Sequence, residues 1–391
     1  MPEFSPQEYA DRLAAVRDRM ARQGLAALLI SDPANLYYLT GYNAWSFYTP
    51  QVLWVPADGE MILFTRAMDA QGAHRTSWLP PESIVGYPES LVHRAHAHPF
   101  DWVGTQLRER GLVGLGAVAV GVELDAHFFS PKALRALERA LPEWRLVDCF
   151  ELVNWVRVVK SDAEIEVMRA ASRVTVKAME AAIGAIAIGT PQHVVAAEIQ
   201  RAQALGDEEV WGDFPAIVPF LPTGEAADTP HITWTDRRFA AGEGVVVELT
   251  GAHRRYHVPL ARTVLLGDPS PQLAALERPV AEGLEAVLTT ARDGIPVTDL
   301  ARAWNDTLAT YGLSKRSRLG YSIGIGFPPD WGERTISVRD DDPSVLQRNM
   351  TFHIICGMWM NDFGYEVSES VRITETGVET FTAFPRELIR P

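Results

Sequence analysis

Four stretches of this 391-residue chain are dense in residues that a hydrophobic core does not favour, and one of them holds Glu248. Glu248 follows the valine-rich run 245–247, which is typical of a buried strand. An ionised carboxylate in such a place is costly unless a cation pairs with it. Two interpretations stay open: a structural ion pair with a nearby arginine such as Arg262, or a site for a cationic substrate.

A second stretch, Trp211–Trp234, is a proline-rich loop that contains a histidine near its end. His231 follows Pro230 directly, and a histidine held by rigid proline geometry suits acid–base chemistry near neutral pH. A purely structural role for His231 is the alternative.

The third stretch lies in the C-terminal part and comprises two polar segments, GYSIGIGFPPDWGERT (320–335) and GMWMNDFGYEVSES (357–370). The first is interpreted as a Gly/Pro-rich loop that supplies Tyr321, Asp330, Trp331, Glu333 and Arg334. The second contains Trp359 and places Glu366 and Glu369 at the start of the last strand. Because the two glutamates are three positions apart, they face opposite sides of a regular strand, and at most one points into a site.

The fourth stretch is GYNAWSFYTPQ (41–51), a turn-rich segment crowded with aromatic side chains. Trp45, Phe47 and Tyr48 either pack against a neighbouring element or form the aromatic wall of a pocket.

Two domains are expected to position these residues. Helix-like and strand-like patterns alternate at the N-terminus, which predicts an α/β domain over residues 1–155 with helices at 7–23, 100–110 and 131–140 and strands at 25–31, 52–55, 61–64 and 118–122. Residues 155–160 are interpreted as a strand or linker. Ser161 with Glu164 then forms a capping box that opens a long helix.

The second domain, 156–391, is predicted to be α+β because its strands are grouped. Its helices are expected at 193–203, 271–290 and 297–311, and its strands at 215–219, 245–250, 258–266, 351–359 and 365–374.

Composition excludes several classes of protein. The formal net charge of −14 disfavours a nucleic-acid partner, which needs clustered basic residues. Cys149 and Cys356 are too few for a disulfide framework or a multi-cysteine zinc site and are expected to be buried thiols. No signal-peptide core or run of about 18 apolar residues is present, so a cytoplasmic protein without a membrane partner is expected.

The segment RVVKSDAEIEVMRAA (157–171) resembles the junction helix of the creatinase, prolidase and aminopeptidase P superfamily, and the order of the following loops fits that superfamily along the whole chain. The resemblance implies a creatinase-type α/β domain followed by an α+β pita-bread catalytic domain. Its peptidases hold two metal ions, but the matching positions here carry Glu248, Pro259, Tyr321, Ile355 and Ser368. We therefore expect no metal and no cofactor.

The strings FPAIVPFLPTG, PHITW, GAHRRYHVPLART and TGYNAWSFY are similar to those of the ectoine hydrolases, a metal-free group of that superfamily. Such enzymes open a cyclic amidine that carries a carboxylate. An amidinium carbon is already an electrophile, so carboxylates and a histidine can replace the metal ions.

This resemblance implies roles for the residues above. Glu248 attacks the amidinium carbon or activates water, His231 carries protons to the departing nitrogen, and Glu366 or Glu369 clamps the amidinium. Tyr321 and Tyr256 hydrogen-bond the tetrahedral intermediate, and Arg334 pairs with the substrate carboxylate. The further substrate contacts expected are Trp45, Phe47, Tyr48, His257, Trp331, Glu333 and Trp359. A homodimer is also implied.

Three alternatives stay open. A creatinase-like amidinohydrolase would share the carboxylates and differ in pocket size. A metal-dependent Xaa-Pro dipeptidase or aminopeptidase P would need the missing ligands. A binding module without activity would leave Glu248 and His231 without a common substrate.

Overall fold

The structure is a computed structural model that describes residues 3–112 and 118–391. It divides into two compact units, Met1–Val156 and Arg157–Pro391. Among the described helices, none combines the length and the apolar character that a membrane span requires. Cys149 and Cys356 are buried free thiols, as predicted.

The described residues of the first unit form six helices and six strands. The helices are α1 (Pro6–Arg22), α2 (Pro33–Thr40), α3 (Ala70–Thr76), α4 (Pro99–Glu109), α5 (Pro131–Ala140) and α6 (Leu152–Arg157), the last reaching the unit boundary. The strands are β1 (Ala27–Ile30), β2 (Val52–Pro56), β3 (Ile62–Arg66), β4 (Ile84–Tyr87), β5 (Ala119–Val122) and β6 (Arg145–Asp148). Short 3₁₀ helices lie at Pro81–Ser83 and Glu89–Leu91.

These six strands form one mixed sheet in the order β4-β3-β2-β1-β5-β6. β2 is antiparallel to both of its neighbours, whereas β5 is parallel to β1 and β6. Apolar side chains such as Leu29 and Phe64 form a core with Val103 of α4 and Leu137 of α5. The alternation of helix and strand therefore yields the α/β architecture expected from the sequence.

The second unit contains four long helices and seven strands. The helices are α7 (Asp162–Ala185), α8 (Gln192–Leu205), α9 (Pro271–Thr290) and α10 (Val297–Ala309), with a 3₁₀ helix at Gly224–Asp228. The strands are β7 (Gly244–His253), β8 (Tyr256–Leu265), β9 (Gly320–Phe327), β10 (Asp330–Ser337), β11 (Thr351–Met360), β12 (Phe363–Ile373) and β13 (Val378–Thr380).

An antiparallel sheet in the order β13-β12-β11-β9-β8-β7 organises this unit, and β10 pairs with β9. The predicted capping box opens α7: the Ser161 hydroxyl accepts from the Glu164 amide at 3.1 Å, and the Glu164 carboxylate accepts from the Ser161 amide at 2.8 Å. The grouped strands give the α+β arrangement that was predicted.

Three local predictions were wrong. Residues 215–219 form no strand, and Pro219 removes a backbone donor that a strand would use. Residues 155–157 belong to α6. The stretch 320–335 forms the β9–β10 hairpin and not a loop. Its glycines allow neighbouring side chains to pack closely, since a Cβ on Gly326 would lie 2.9 Å from the His257 ring.

Candidate active site

A cavity of about 580 Å³ in the Arg157–Pro391 unit gathers several of the predicted site residues. It is lined by Ile217, Phe220, Pro230, His231, Glu248, Ser317, Arg318, Tyr321, Pro329, Asp330, Trp331, Ile355, Trp359 and Glu366. Charged and polar groups thus converge inside a largely apolar wall, the usual character of a small-molecule site.

Strand alternation in β7 turns Glu248 toward the cavity. Val247 and Leu249 pack in the core with α7 and α8, so Glu248 between them faces the other side of the sheet. Glu248 also exchanges backbone hydrogen bonds of 2.9 and 3.2 Å with Phe220. The Phe220 ring lies 5.4 Å from that of His231, which is how the proline-rich loop brings its histidine to the same cavity.

Glu366 reaches the cavity from β12. The Thr263 hydroxyl of β8 accepts from the Glu366 amide at 2.8 Å and donates to the Glu366 carbonyl at 2.9 Å, which holds β12 against β8. In the part of the chain that the structure describes, neither carboxylate oxygen of Glu366 has a hydrogen-bond partner, although the residue is only 1% exposed.

Burial raises the pKa of Glu366 to about 7. Burial, and after it the charge of Glu366, raise the pKa of Glu248 well above its ordinary value. Two buried carboxylates that share a cavity resist ionising together, and a bound cation relieves that resistance.

Lys315 does not line this cavity, but its charge acts on both carboxylates, and sequence reasoning missed it. Its ammonium donates to the carbonyls of Ile355 at 3.0 Å and Gly357 at 2.9 Å and lies 4.4 Å from the Trp359 ring centroid. Burial lowers its pKa to about 8, and the charges of Glu366 and Glu248 oppose that shift. The basic run SKRSR at 314–318 is typical of a solvated surface, so only the tertiary structure indicates this position.

The arginine that lines the cavity is Arg318, which the sequence reasoning also missed. Its guanidinium carbon lies 4.3 Å from the centroid of the Tyr321 ring, and one of its nitrogens donates to the Ser337 hydroxyl at 3.3 Å. Arg334, predicted to bind a substrate carboxylate, lies in β10 with a positive φ of 56° and does not line the cavity. Arg318, and not Arg334, therefore lines the cavity that holds Glu248 and Glu366.

Tyr321 belongs to a chain of hydrogen bonds next to the carboxylates. Trp331 donates its Nε1 hydrogen to the Tyr321 oxygen at 2.6 Å, and Nδ1 of His353 lies 3.3 Å from the same oxygen. His353 Nε2 lies 2.7 Å from the Ser368 hydroxyl. His353 was missed because it lies in the apolar string TFHIIC, where a core histidine is the ordinary expectation.

Glu369 forms a structural ion pair and does not line the cavity. Its carboxylate accepts from Arg262 at 2.8 Å and from Arg386 at 3.0 Å, and it is not a cavity-lining residue. The spacing rule for strands thus separates Glu366 from Glu369. The alternative in which Arg262 pairs with Glu248 is wrong, because Arg262 is the partner of Glu369.

Three other predicted substrate contacts do not line this cavity, and their side chains have structural partners. The Tyr256 hydroxyl donates to Glu164 at 2.7 Å, and Glu333 accepts from Lys160 at 2.8 Å. His257 lies 2.8 Å from the Arg255 carbonyl and accepts from the Ala216 amide at 2.9 Å.

The predicted aromatic contacts Trp45, Phe47 and Tyr48 belong to the Met1–Val156 unit. Trp45 is 58% exposed and Tyr48 is 56% exposed, so both offer aromatic surface. Phe47 is buried and packs edge-on against Phe128 at 5.2 Å, which corrects its predicted place in a pocket wall.

The residues at the expected ligand positions do not fit a two-metal centre. Pro259 and Ile355 have no side-chain donor atom, and the Ser368 hydroxyl is already hydrogen-bonded to the Ala261 amide and His353. Across residues 3–112 and 118–391, no group of three or more His, Cys, Asp and Glu side chains is arranged to hold a metal ion.

Comparison with known proteins places the chain in a family. The Creatinase/Prolidase N-terminal domain matches residues 12–159, and metallopeptidase family M24 matches residues 166–378. Ectoine hydrolase from Halomonas elongata is 43% identical over 392 residues, which covers 98% of each chain. An uncharacterized hydrolase/peptidase of Sinorhizobium fredii is 39% identical and covers 99% of this chain and 98% of its own.

Among solved structures, the prolidase from Pyrococcus horikoshii superposes with a TM-score of 0.81 at 21% identity, over 97% of this chain and all of that one (100%). The predicted fold class and the predicted resemblance are thereby confirmed. The chain belongs to metallopeptidase family M24, carries a creatinase/prolidase N-terminal domain and is a hydrolase.

Proposed function

We propose that this protein opens the ring of a cyclic amidine by hydrolysing a C–N bond, with ectoine as the first candidate substrate. The observation that carries the proposal is the pair Glu248 and Glu366, two buried carboxylates that line one cavity. The 43% identity to an ectoine hydrolase supports this choice of substrate.

A cationic amidinium complements this cavity. Its charge lets both carboxylates ionise, and its N–H groups donate charge-assisted hydrogen bonds to carboxylate oxygens such as those of Glu366. The rings of Trp331 and Trp359 line the same cavity and offer faces to the cation. A neutral peptide would gain little from these groups.

In the proposed reaction, water adds across the amidinium carbon and one ring C–N bond breaks, so ectoine yields an N-acetyl-diaminobutyrate. Glu248 either attacks that carbon or takes a proton from the attacking water, and Glu366 holds the amidinium nitrogens. His231 delivers the proton that the departing ring nitrogen needs. Tyr321 donates a hydrogen bond to the tetrahedral centre.

We propose that this reaction proceeds without a metal ion. The donor set supports the proposal, because Pro259 and Ile355 cannot ligate where the family places its ligands. The chemistry supports it as well: an amidinium carbon is activated by its own charge, whereas a peptide carbonyl needs an external Lewis acid.

A substrate panel tests the activity. Purified protein is incubated separately with ectoine, creatine and a Xaa-Pro dipeptide, the last with and without Mn²⁺, and NMR follows each substrate. We expect ring opening of ectoine and no cleavage of the dipeptide. Dipeptide cleavage together with inert ectoine would overturn the proposal, and hydrolysis of creatine alone would reassign the substrate to the guanidines.

Arg318 is expected to bind the substrate carboxylate, since it is a cavity-lining guanidinium that no carboxylate of the described residues pairs with. Arg318→Ala should raise KM for ectoine by about 10- to 100-fold, the range for a lost charge-assisted contact, and change kcat much less.

The matched control is Arg316→Ala, two residues before Arg318. It removes the same charge from a side chain that does not line this cavity. It should leave KM within about twofold. An ectoine analogue without the carboxylate should show no difference between Arg318→Ala and wild type. A similar KM increase for that analogue would contradict carboxylate binding by Arg318.

Activity is expected to fall as pH drops through about 7. The pKa of Glu366 is raised to about 7, so below that pH the carboxyl is protonated and cannot clamp an amidinium. The profile of kcat/KM against pH should therefore rise from acid to neutral pH. A profile that is flat between pH 5.5 and 8 would contradict this assignment.

We further propose a cytoplasmic homodimer, as the family resemblance implies. The exposed rings of Trp45 and Tyr48 are suitable for a subunit contact. Analytical ultracentrifugation of wild type and of a Trp45→Ala, Tyr48→Ala double variant tests both the dimer and this part of its surface.

A further inference from the structure

A second layer of polar residues lies against the cavity wall and has no part in the reaction as proposed above. It consists of Ser368 and His353, which lead to Tyr321 and Trp331. Ser368 and His353 are fully buried, so their hydrogen-bonding groups must be satisfied by one another and by the backbone. The direction of each hydrogen bond then decides what Tyr321 offers to a substrate.

The first hydrogen bond whose direction can be determined joins Ser368 to His353. The Ser368 hydroxyl oxygen accepts a hydrogen bond from the Ala261 amide at 2.6 Å. The hydroxyl hydrogen needs an acceptor of its own, and within residues 3–112 and 118–391 the atom that provides one is His353 Nε2, at 2.7 Å. Because Nε2 then accepts, a neutral imidazole carries its hydrogen on Nδ1.

The surroundings of Nδ1 favour the same tautomer independently. Nδ1 lies 4.0 Å from a carboxylate oxygen of Glu248 and 3.3 Å from the Tyr321 oxygen. The Glu248 oxygen attracts a hydrogen on Nδ1 and repels a lone pair there, so it is Glu248 that favours this tautomer. Burial lowers the pKa of His353 to about 3, so the ring remains neutral at working pH.

The directions of the hydrogen bonds at the Tyr321 oxygen follow from its two neighbours, Trp331 and His353. The indole N–H of Trp331 can only donate, and it does so to the Tyr321 oxygen at 2.6 Å. With His353 Nδ1–H as a second donor, the phenol oxygen accepts twice, and its own hydrogen is left to be donated elsewhere. Tyr321 lines the cavity, and burial keeps its pKa well above the ordinary value, so the hydrogen stays in place.

We propose that Ser368 and His353 are positioning residues that, together with Trp331, fix Tyr321 as a hydrogen-bond donor directed into the cavity. This inference adds to the proposed function, and its consequence for catalysis rests on that function. The nitrogens of a bound amidinium are donors and offer Tyr321 no acceptor. After attack, a ring nitrogen gains a lone pair and can accept a hydrogen bond from Tyr321. Because this hydrogen bond forms only after the substrate has bound, its loss should lower kcat.

The opposite tautomer gives the opposite result. If the hydrogen lay on Nε2 of His353, Nδ1 would accept from the Tyr321 hydroxyl, and no hydrogen would remain for the substrate. The tautomer is therefore the quantity to measure. It can be read without any substrate, so its measurement does not depend on the proposed function.

NMR of ¹⁵N-histidine-labelled protein measures the tautomer directly. The His353 signals are identified by their absence in His353→Asn. We expect a neutral Nδ1–H ring that does not titrate between pH 5.5 and 9, and a mixture of tautomers in Ser368→Ala. A neutral Nε2–H ring in wild type overturns the inference, whether or not the protein turns over ectoine.

Kinetics of a matched pair of variants test the catalytic meaning. Asn at 353 places an N–H near the position of Nδ1, whereas Gln places its amide near Nε2 and supplies no donor to Tyr321. His353→Gln should lower kcat by about 100-fold, as for a lost oxyanion-type donor, with KM within about twofold, and His353→Asn should recover most of that loss. Equal losses in the two variants would contradict positioning through Nδ1.

If a His353 variant folds poorly, Tyr321→Phe provides a second test, because it removes the donor hydroxyl itself. Ser368→Ala and Tyr321→Phe should each lower kcat, and the double variant should be no slower than Tyr321→Phe alone, because both act through one hydrogen bond. Additive losses would overturn the inference. If wild type shows the Nδ1–H ring but opens no amidine, the proposed function fails and the tautomer assignment stands.

Discussion

Glu248→Gln is expected to lower kcat for ectoine by at least about 10³-fold, because the variant removes the group that attacks the amidinium carbon or activates water. Glutamine keeps the shape of the side chain, which is 5% exposed on β7. Turnover is measured by NMR, and binding by calorimetry. Ectoine should still bind, more weakly, because Glu366 remains as a carboxylate partner.

Glu225→Gln is the control for this experiment. It makes the same chemical change at an exposed glutamate of the same unit that does not line the cavity, and it should leave kcat within about twofold. Retention of more than a tenth of the activity in Glu248→Gln would refute the central role of Glu248.

Glu366→Gln is expected to lower activity and raise stability together. Losing the amidinium clamp should cost at least about 100-fold in kcat/KM. The same change removes a buried charge that has no hydrogen-bond partner in the described part of the chain, and it should raise the free energy of unfolding by about 1 to 3 kcal/mol at pH 8.

The gain in stability should depend on pH. The folded-state pKa of Glu366 is raised from its ordinary 4.5 to about 7, so the folded protein holds this proton more tightly than the unfolded chain. Wild type therefore loses stability as pH rises from about 4.5 through 7, and the variant lacks this contribution from Glu366. Urea unfolding of both proteins at pH 5 and pH 8 measures this difference.

Glu369→Gln provides the matched contrast, three residues along the same strand. Glu369 pairs with the buried Arg262 at 2.8 Å, so breaking the pair should destabilise the protein by about 3 kcal/mol or more. Glu366→Gln and Glu369→Gln should thus shift stability in opposite directions. If both destabilise the protein equally, Glu366 is structural and the cation site is wrong.

Much of this site could be predicted from local sequence. The valine run around Glu248 indicates a buried strand, and the interval between Glu366 and Glu369 predicts that they separate to opposite faces, which the structure shows. These features depend only on the two-residue period of a strand. The capping box at Ser161 is likewise local and was confirmed.

Other parts of the site depend on which strands pair, and local sequence does not contain that information. His353 lies opposite Tyr321 only because β11 pairs with β9, and Lys315 approaches the carboxylates through contacts with β11. The glycines of 320–335 were interpreted as a loop because glycine is rare within strands. Their close packing against neighbouring side chains becomes visible only in three dimensions.

The most direct test of a metal-free carboxylate mechanism is the turnover of ectoine by protein stripped with a chelator, with its metal content measured in the same sample. We expect kcat to be unchanged after stripping and unchanged when Mn²⁺, Zn²⁺ or Co²⁺ is returned. Activity that disappears with the metal and returns with it would contradict the mechanism and make this protein a metal-dependent hydrolase.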